Sequence, residues 1–193
     1  MNGTFPNRTE AGRILAPMLR EFSNHPHAIV LALPRGGVPV GYEVARKLHL
    51  SLDVLVVRKL GVPGQEEVAM GAIASGGIEL VDITMVAGLN ISPAAVRAVM
   101  NREQAELARR EKLYRGPRAA PVLAGKIVIL IDDGIATGST MRAAVRAVKT
   151  KRPQVVVVAA PVASSQAVKA LRHEVDALIT IITTPNFSSV GEY

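Results

Sequence analysis

Cysteine and tryptophan are absent from this chain, and aromatic residues make up only 3% of its 193 residues. Without cysteine the protein can form neither a disulfide framework nor a thiolate metal site, which suits a reducing compartment. The shortage of aromatic rings also leaves few side chains on which a nucleic-acid base could stack.

Long hydrophobic runs are missing as well. The apolar stretches at 127–131 and 155–163 are the length of strands, whereas a membrane-spanning helix needs about 20 residues. The N-terminal stretch has no apolar core of an export signal. We therefore expect a cytoplasmic protein without membrane contact, and its length and 49% apolar content predict a single domain over residues 1–193.

Acidic residues are the scarcer charged class, because 16 Asp and Glu against 23 Lys and Arg give a net charge of +7. Much of the excess lies between Ser92 and Arg118. A solvated helix face explains such a run, and contact with nucleic acid is the alternative. Only Tyr114 in this run could stack on a base, which disfavours the alternative. The net charge favours anionic partners in general.

What the chain does contain is an alternation of apolar runs and amphipathic stretches. This pattern predicts an α/β fold with a mostly parallel sheet covered on both faces. Predicted strands lie at 28–33, 52–60, 126–132, 154–161 and 177–182, and predicted helices at about 8–22, 40–48, 92–114, 141–149 and 164–173. Gly76 and Gly77 predict a hairpin or turn, and Pro17 lies inside the first helix.

The stretch KIVILIDDGIATGST, residues 126–140, combines two acids with a loop suited to an anion. Backbone N–H groups and a helix N-terminus after the strand predict a phosphate site. Neither the Walker lysine nor the dinucleotide glycine spacing is present. Ionised Asp132 and Asp133 accept hydrogen bonds from paired hydroxyls or from the water shell of a cation. A phosphorylated sugar with vicinal hydroxyls satisfies both halves of the stretch.

This stretch resembles the 5-phosphoribosyl-1-pyrophosphate (PRPP) loop of type I phosphoribosyltransferases. The resemblance implies that Asp132 and Asp133 hold the ribose hydroxyls. It also implies that the loop cradles the 5′-phosphate through Gly134, Ile135, Ala136, Thr137, Gly138, Ser139 and Thr140.

Two further segments resemble the same family. ALPRGGVPVGYEVA, residues 32–45, resembles its pyrophosphate loop, which implies that Arg35, Gly36 and Gly37 meet the pyrophosphate and that the Arg35–Gly36 peptide is unusual. VRKLGVPG, residues 57–64, is similar to the segment of adenine phosphoribosyltransferases that leads into their flexible active-site loop. By that resemblance Arg58 and Lys59 meet the leaving pyrophosphate.

The whole chain is similar to a bacterial group of phosphoribosyltransferases, which implies the family's three-layer α/β/α fold. The family's strand order, 3-2-1-4-5-6, places the first strand beside the strand that ends at Asp132. A small hood is expected from the chain ends, about 1–25 and 183–193, and family resemblance implies a homodimer.

The reaction implied by the resemblance is transfer of the phosphoribosyl group from PRPP to a nitrogenous acceptor such as a nucleobase, with release of pyrophosphate. Mg²⁺ is expected to arrive with PRPP rather than on direct protein ligands. Oxopurine enzymes carry an acid where this chain has Ala136, so the general base is sought elsewhere. Glu67, with Glu66 second, is the candidate because it falls in the expected mobile loop.

Phe187 is the candidate for stacking on the acceptor. One alternative is a PRPP-sensing regulatory protein that binds nucleic acid without turnover. Another is an inactive relative with a structural role.

Overall fold

The computed structural model describes residues 4–193, apart from the side chain of Glu67. Its eight strands are β1 (Ala28–Ala32), β2 (Ser51–Val54), β3 (Val57–Val62), β4 (Gln65–Ala74), β5 (Ile78–Val81), β6 (Ile127–Ile131), β7 (Val155–Ser164) and β8 (Ala177–Thr184). Its α-helices are α1 (Arg8–Leu15), α2 (Gly37–Leu48), α3 (Ile83–Gly88), α4 (Pro93–Arg115), α5 (Ser139–Lys149) and α6 (Ser165–Leu171).

A five-stranded parallel sheet forms the centre, in the order β2-β1-β6-β7-β8. Every residue of β1 and β6 is buried, as expected of strands covered on both faces. On one face, Leu15, Leu19 and Val44 from α1, the following 3-10 helix and α2 pack against the sheet. On the other face, Met141 of α5 and Leu171 of α6 do so. The predicted three-layer α/β/α fold is confirmed.

The predicted strand at 52–60 is wrong, because this stretch forms two strands in different sheets. The chain leaves β2 after Val54 and enters β3 at Val57. Both residues between them are buried, but Leu55 packs in the core of the main sheet whereas Val56 packs in a separate apolar cluster. The crossing from one core to the other breaks the strand.

A second, antiparallel sheet consists of β3, β4 and β5. Its outer face packs against α4, with Leu60, Met70, Val99 and Leu107 in one cluster. The six-strand order implied by the family is therefore wrong for this chain, since the main sheet has five strands and β3 pairs elsewhere. The prediction that β1 and β6 are adjacent strands is confirmed, because they pair in parallel and Ala32 lies opposite Ile131.

The predicted first helix changes type where Pro17 occurs. α1 ends at Leu15, and a 3-10 helix continues over Ala16–Phe22 with the proline in its first turn. The predicted helix at 92–114 is confirmed as α4, capped by Ser92, whose Oγ accepts from the Ala95 N–H at 3.2 Å. In the part of the chain that the structure describes, no helix has both the length and the apolar composition to cross a membrane.

Candidate active site

The two acids Asp132 and Asp133 lie at the carboxyl edge of the main sheet. They follow β6 directly, and β6 lies between β1 and β7. The Leu33 N–H donates to Ile131 O at 2.8 Å, so the loop after β1 leaves the sheet beside them. Loops after neighbouring parallel strands meet at this edge, which is where α/β proteins bind ligands.

Two glycines of the loop after β1 touch the acid pair. A methyl group built on Gly36 would overlap Asp133 Oδ2, and one on Gly37 would lie 2.6 Å from Ile131 O and 2.9 Å from Asp132 Cα. Any side chain would collide at both positions, so the close approach of the two loops requires glycine. The structure thus brings the predicted pyrophosphate loop against the predicted ribose-binding acids.

The unusual peptide of this loop occurs one bond earlier than predicted. The peptide bond between Pro34 and Arg35 is cis, so the predicted position at Arg35–Gly36 is wrong. Arg35 itself is exposed beside the acid pair's loop.

The loop at 134–140 encloses a cavity of about 170 Å³ that is also lined by Asp132 and Met141. All seven residues predicted for the 5′-phosphate line it. The loop is anchored to β7, because the Ile135 N–H donates to Val162 O and the Ser164 N–H to Ile135 O, each at 2.9 Å. Gly138, with φ of 78°, turns the chain into α5. The arrangement places a helix N-terminus at an open cavity, which suits an anion.

Hydroxyl groups line the mouth of this cavity. Thr137 Oγ1 and Ser139 Oγ lie 3.0 Å apart, and both face solvent at least in part. A phosphate oxygen could accept from either hydroxyl once their mutual hydrogen bond opens. The cavity thus offers side-chain as well as backbone donors.

Asp132 and Asp133 differ in their electrostatic surroundings. Burial raises the pKa of Asp132 to about 8, with a further contribution from the negative charge of Asp133 and a hydrogen bond with it. Asp132 Oδ1 accepts from the Asp133 N–H at 2.9 Å. Neutral pH therefore favours the protonated form of Asp132, which can donate a hydrogen bond, while the oxygens of Asp133 can accept one.

Arg8, which the sequence analysis missed, pairs with Asp133. Its Nε lies 2.7 Å from Asp133 Oδ2. The two residues are 125 positions apart, and an arginine at the start of a helix carries no local signal of such a partner. Only the fold, which places the start of α1 near the end of β6, reveals the contact.

The two chain ends meet beside the acid pair. The Phe5 N–H donates to Tyr193 O. A methyl group built on Gly134 would lie 2.6 Å from Val190 Cγ2, so the C-terminal segment lies on the start of the phosphate loop. A second cavity of about 170 Å³ lies between the ends, lined among others by Phe5, Arg8, Asp133 and Tyr193. The predicted hood remains a prediction, and this contact between the ends supports it.

The predicted stacking residue Phe187 contacts Tyr193 instead of this cavity. The two rings stack with centroids 5.7 Å apart and an interplanar angle of 26°. The described lining of the chain-end cavity includes Tyr193 and not Phe187. A role of Phe187 at the acceptor would therefore be indirect.

Arg58 and Lys59 lie on β3, outside the loop that holds the acids. Arg58 pairs with Glu103 of α4, at 2.8 Å from Nε and 2.6 Å from Nη2. Lys59 is partly buried, and strand alternation directs it to the opposite face of the small sheet. Contact of either residue with pyrophosphate remains a prediction.

The predicted general base does not lie in a loop. Residues 65–74 form β4, so the backbone of Glu67, like that of the exposed Glu66, belongs to a strand close to the hairpin turn at Pro63 and Gly64. The side chain of Glu67 lies outside the described residues, and its role remains a prediction.

Metal-ligating side chains are not clustered at the site. Among the side chains that the structure describes, no group of three or more His, Asp or Glu residues could hold a metal ion. Asp133 is paired with Arg8, and burial raises the pKa of Asp132 to about 8.

The sequence profile described as "Phosphoribosyl transferase domain" matches residues 8–193. The chain belongs to the phosphoribosyl transferase family. This membership confirms the resemblance found in the sequence, and the site described above is formed by the same segments that carry that resemblance.

Relatives extend the comparison. A protein of Mycobacterium tuberculosis (strain CDC 1551 / Oshkosh), named provisionally as a phosphoribosyl transferase, is 41% identical over 188 residues, which cover 97% of this chain and 42% of that protein. The chain thus spans less than half the length of this relative. The crystal structure of TT1426 from Thermus thermophilus is similar with a TM-score of 0.87 and 37% identity, over 98% of this chain and 89% of that one.

A more distant structure shares the fold. The purine phosphoribosyltransferase from Pyrococcus horikoshii Ot3 matches with a TM-score of 0.55 and 16% identity, over 94% of this chain and 85% of that one. At this identity the likeness concerns the fold alone.

Proposed function

We propose that this chain transfers the 5-phosphoribosyl group of PRPP to a nitrogenous acceptor and releases pyrophosphate. The observation that carries the proposal is the direct contact of three elements at one sheet edge: the acid pair, the glycines at 36 and 37, and the loop at 134–140. These elements match the hydroxyls, the pyrophosphate and the 5′-phosphate of one ligand.

In the proposed complex, the loop at 134–140 holds the 5′-phosphate and fixes the ribose. Asp133 accepts a hydrogen bond from one ribose hydroxyl, and protonated Asp132 donates a hydrogen bond to the other ribose hydroxyl. The bond from C1 to the pyrophosphate oxygen breaks, its electron pair leaves with pyrophosphate, and the acceptor nitrogen forms the new bond from the opposite face. Positive charge that develops on the ribose is stabilised by the ionised acid nearby.

Pyrophosphate would leave beside the loop that carries Arg35, Gly36 and Gly37. Arg35, Arg58 and Lys59 are the proposed cations. Arg58 would have to turn from Glu103, to which it is held in this structure. The small sheet that carries Arg58 and Lys59 would therefore have to shift toward the acids when substrate binds.

Magnesium fits this site as part of the substrate. Because Asp133 is paired with Arg8 and no third His, Asp or Glu side chain joins the pair among the described residues, the acid pair is poorly suited to bind a divalent cation directly. Magnesium bound to the phosphates of PRPP would neutralise charge on the leaving group. The chain's own residues would then orient the ribose and the phosphates.

The acceptor, which we propose to be a nucleobase, would enter from the chain ends. The cavity between them reaches Asp133 and is walled by Phe5 and Tyr193, which offer planar surfaces. Ala136, which lines the cavity of the phosphate loop, provides no proton acceptor. Glu67 is the proposed general base and would have to reach the acceptor nitrogen from the hairpin of β3 and β4.

The basic run of α4 gives little support to nucleic-acid binding. Its arginines are largely paired within the protein: Arg109 and Arg110 contact Glu106 at 2.7 and 2.6 Å, and Arg102 contacts Glu103 at 3.0 Å. The two arginines lower the pKa of Glu106 to about 2, so this carboxylate stays charged and keeps its partners. The regulatory alternative therefore lacks a specific observation in its favour.

The proposal is tested by measuring pyrophosphate release from Mg·PRPP with a panel of purines, pyrimidines and amines. We expect turnover with at least one acceptor, and we expect the double variant Asp132→Asn with Asp133→Asn to abolish it. Binding of Mg·PRPP without turnover on any acceptor would favour a sensor. Turnover that survives in the double variant would show that the acid pair is not the site.

A further inference from the structure

Arg8 is the one cation that contacts the acid pair among the described residues. Its Nε donates to Asp133 Oδ2 at 2.7 Å, and this is a single hydrogen bond to a single oxygen. The Asp133 side chain is 13% exposed, whereas that of Arg8 is 54% exposed. The guanidinium group therefore approaches the carboxylate from the solvent side and covers one of its two oxygens.

Asp133 is confined on its other sides. A methyl group built on Gly36 would overlap both carboxylate oxygens, so backbone lies directly against the carboxylate. Asp132 contacts it from the same loop. The remaining described side chains of the chain-end cavity include no other Lys or Arg, and among them are those of Phe5, Val190 and Tyr193. Arg8 is thus the group that can counter the repulsion between the two acids.

Arg8 is itself held in place by local structure. It is the first residue of α1, which is capped by Asn7, whose side chain accepts from the Glu10 N–H at 2.9 Å. The preceding segment is joined to the C-terminal segment by the hydrogen bond from Phe5 to Tyr193. A capped helix start gives the guanidinium group a defined direction, which a loose chain terminus would not.

We propose that Arg8 is a positioning residue for the acid pair, which holds the Asp133 carboxylate in one orientation so that its other oxygen can accept from a ribose hydroxyl. The choice of PRPP as the ligand rests on the proposed function. The ion pair of Arg8 with Asp133, however, is present without ligand, so its influence on the two acids can be measured in the free protein. Removal of the cation leaves two acids in contact without a counter-charge, so the pair should hold its protons more tightly. The remaining carboxylate also loses the contact that fixes its direction.

Four proteins test the inference: wild type, Arg8→Gln, Arg8→Lys and the control Arg13→Gln. Arg13 lies on the same helix and pairs with Glu10 and Glu43, at 2.6 and 3.3 Å, instead of the acid pair. The titration of the Asp132 and Asp133 carboxyl carbons is followed by NMR without ligand. Binding of Mg·PRPP is measured by calorimetry across pH 6 to 9, and thermal unfolding checks the fold.

In Arg8→Gln we expect the acid pair to titrate at higher pH and Mg·PRPP to bind about tenfold more weakly at pH 7. Arg8→Lys should restore much of both properties, and Arg13→Gln should match wild type. Unchanged titration of the acid pair in Arg8→Gln would overturn the inference. Tighter binding of PRPP to Arg8→Gln would also overturn it, because Arg8 would then only block the site. If wild type fails to bind Mg·PRPP, the proposed function fails, and the ligand-free titration still decides the role of Arg8.

Discussion

The raised pKa of Asp132 makes the stability of the protein depend on pH. Its pKa is raised from 3.8 to about 8, first by burial and then by Asp133. A carboxyl group with a higher pKa in the folded than in the unfolded protein binds more protons when folded. Its contribution to the free energy of unfolding is therefore greatest below pH 4 and is lost as pH rises toward 8.

We accordingly expect Asp132→Asn to be more stable than wild type at pH 8 to 9, with a smaller difference at pH 5. The neutral amide avoids the cost of ionisation and can still accept from the Asp133 N–H, as Asp132 Oδ1 does. A shift in the melting temperature of roughly 2 °C or more at pH 9 is expected, measured by calorimetry. Glu21→Gln, at an exposed position, is the control. An equal shift at both pH values would contradict the assignment of the raised pKa.

Gly36 gives a second expectation for a single residue. In Gly36→Ala the new methyl group would strike the Asp133 carboxylate, which must then turn away from its place in the site. We expect binding of Mg·PRPP to fall at least tenfold by calorimetry, with a loss of stability of roughly 1–3 kcal/mol. Gly88→Ala, where no atom lies within 4 Å of the added methyl group, should bind as wild type does. Normal affinity in Gly36→Ala would mean that the contact of the two loops is unimportant for the ligand.

At the level of elements, the ion pair of Arg58 on β3 with Glu103 on α4 allows a structural role of Arg58 to be distinguished from a functional one, because each partner can be substituted separately. Glu103 is a buried carboxylate that holds Arg58 and Arg102. Glu103→Gln should destabilise the protein by roughly 1–2 kcal/mol, because it weakens a charged hydrogen bond, and should leave the KM for PRPP unchanged or lower it, because Arg58 is then freer to turn toward pyrophosphate. Arg58→Gln should destabilise it similarly and also raise the KM for PRPP.

The comparison of these two variants uses chemical denaturation and steady-state kinetics. Arg109→Gln removes an arginine from an exposed pair on the same helix and should change neither quantity much. If Arg58→Gln and Glu103→Gln behave alike in the KM for PRPP, Arg58 supports the small sheet only. That outcome would remove Arg58 from the proposed pyrophosphate site.

Sequence patterns predicted those elements whose signals are local. The strand before Asp132 and the helix capped by Ser92 follow from an unbroken apolar run and from a serine-proline start. The division of 52–60 into two strands could not be predicted, since Leu55 and Val56 look alike in sequence and differ only in the core that each enters. α3 was missed because it has a single turn and a half and no buried residue.

The candidate site shows the same limit at longer range. The roles of loop residues such as Gly36 and Thr137 can be predicted from sequence, because each residue belongs to a contiguous motif that follows a strand. Arg8 and the chain-end contact of Phe5 with Tyr193 join segments far apart in sequence, so no local pattern indicates them. Arg58 was placed by motif, but its partner Glu103 on α4 depends on how the small sheet packs.

Among the residues that the structure describes, the buried apolar side chains form three clusters, which differ in how completely they cover the two sheets. Two of them cover the faces of the main sheet, and β1 and β6 are completely buried between them. The third joins the small sheet to α4 and includes Leu60, Met70 and Leu107. The small sheet meets α4 on one side and α5 on the other, but none of its strands is buried along its whole length as β1 and β6 are, so it should open at a lower free energy than the main sheet.

Hydrogen exchange followed by mass spectrometry should therefore show slower exchange in β1, β6 and β7 than in β3, β4 and β5. Leu107→Ala, which removes a side chain from the third cluster, should accelerate exchange in the small sheet and α4 and leave the main sheet protected. Ile129→Ala, in the core between α2 and the main sheet, should accelerate exchange throughout, because opening there requires global unfolding. If Leu107→Ala instead accelerated exchange uniformly, the small sheet and the main sheet would unfold as one cooperative unit. The independent shift of the small sheet that the proposed function requires for Arg58 and Lys59 would then have no support.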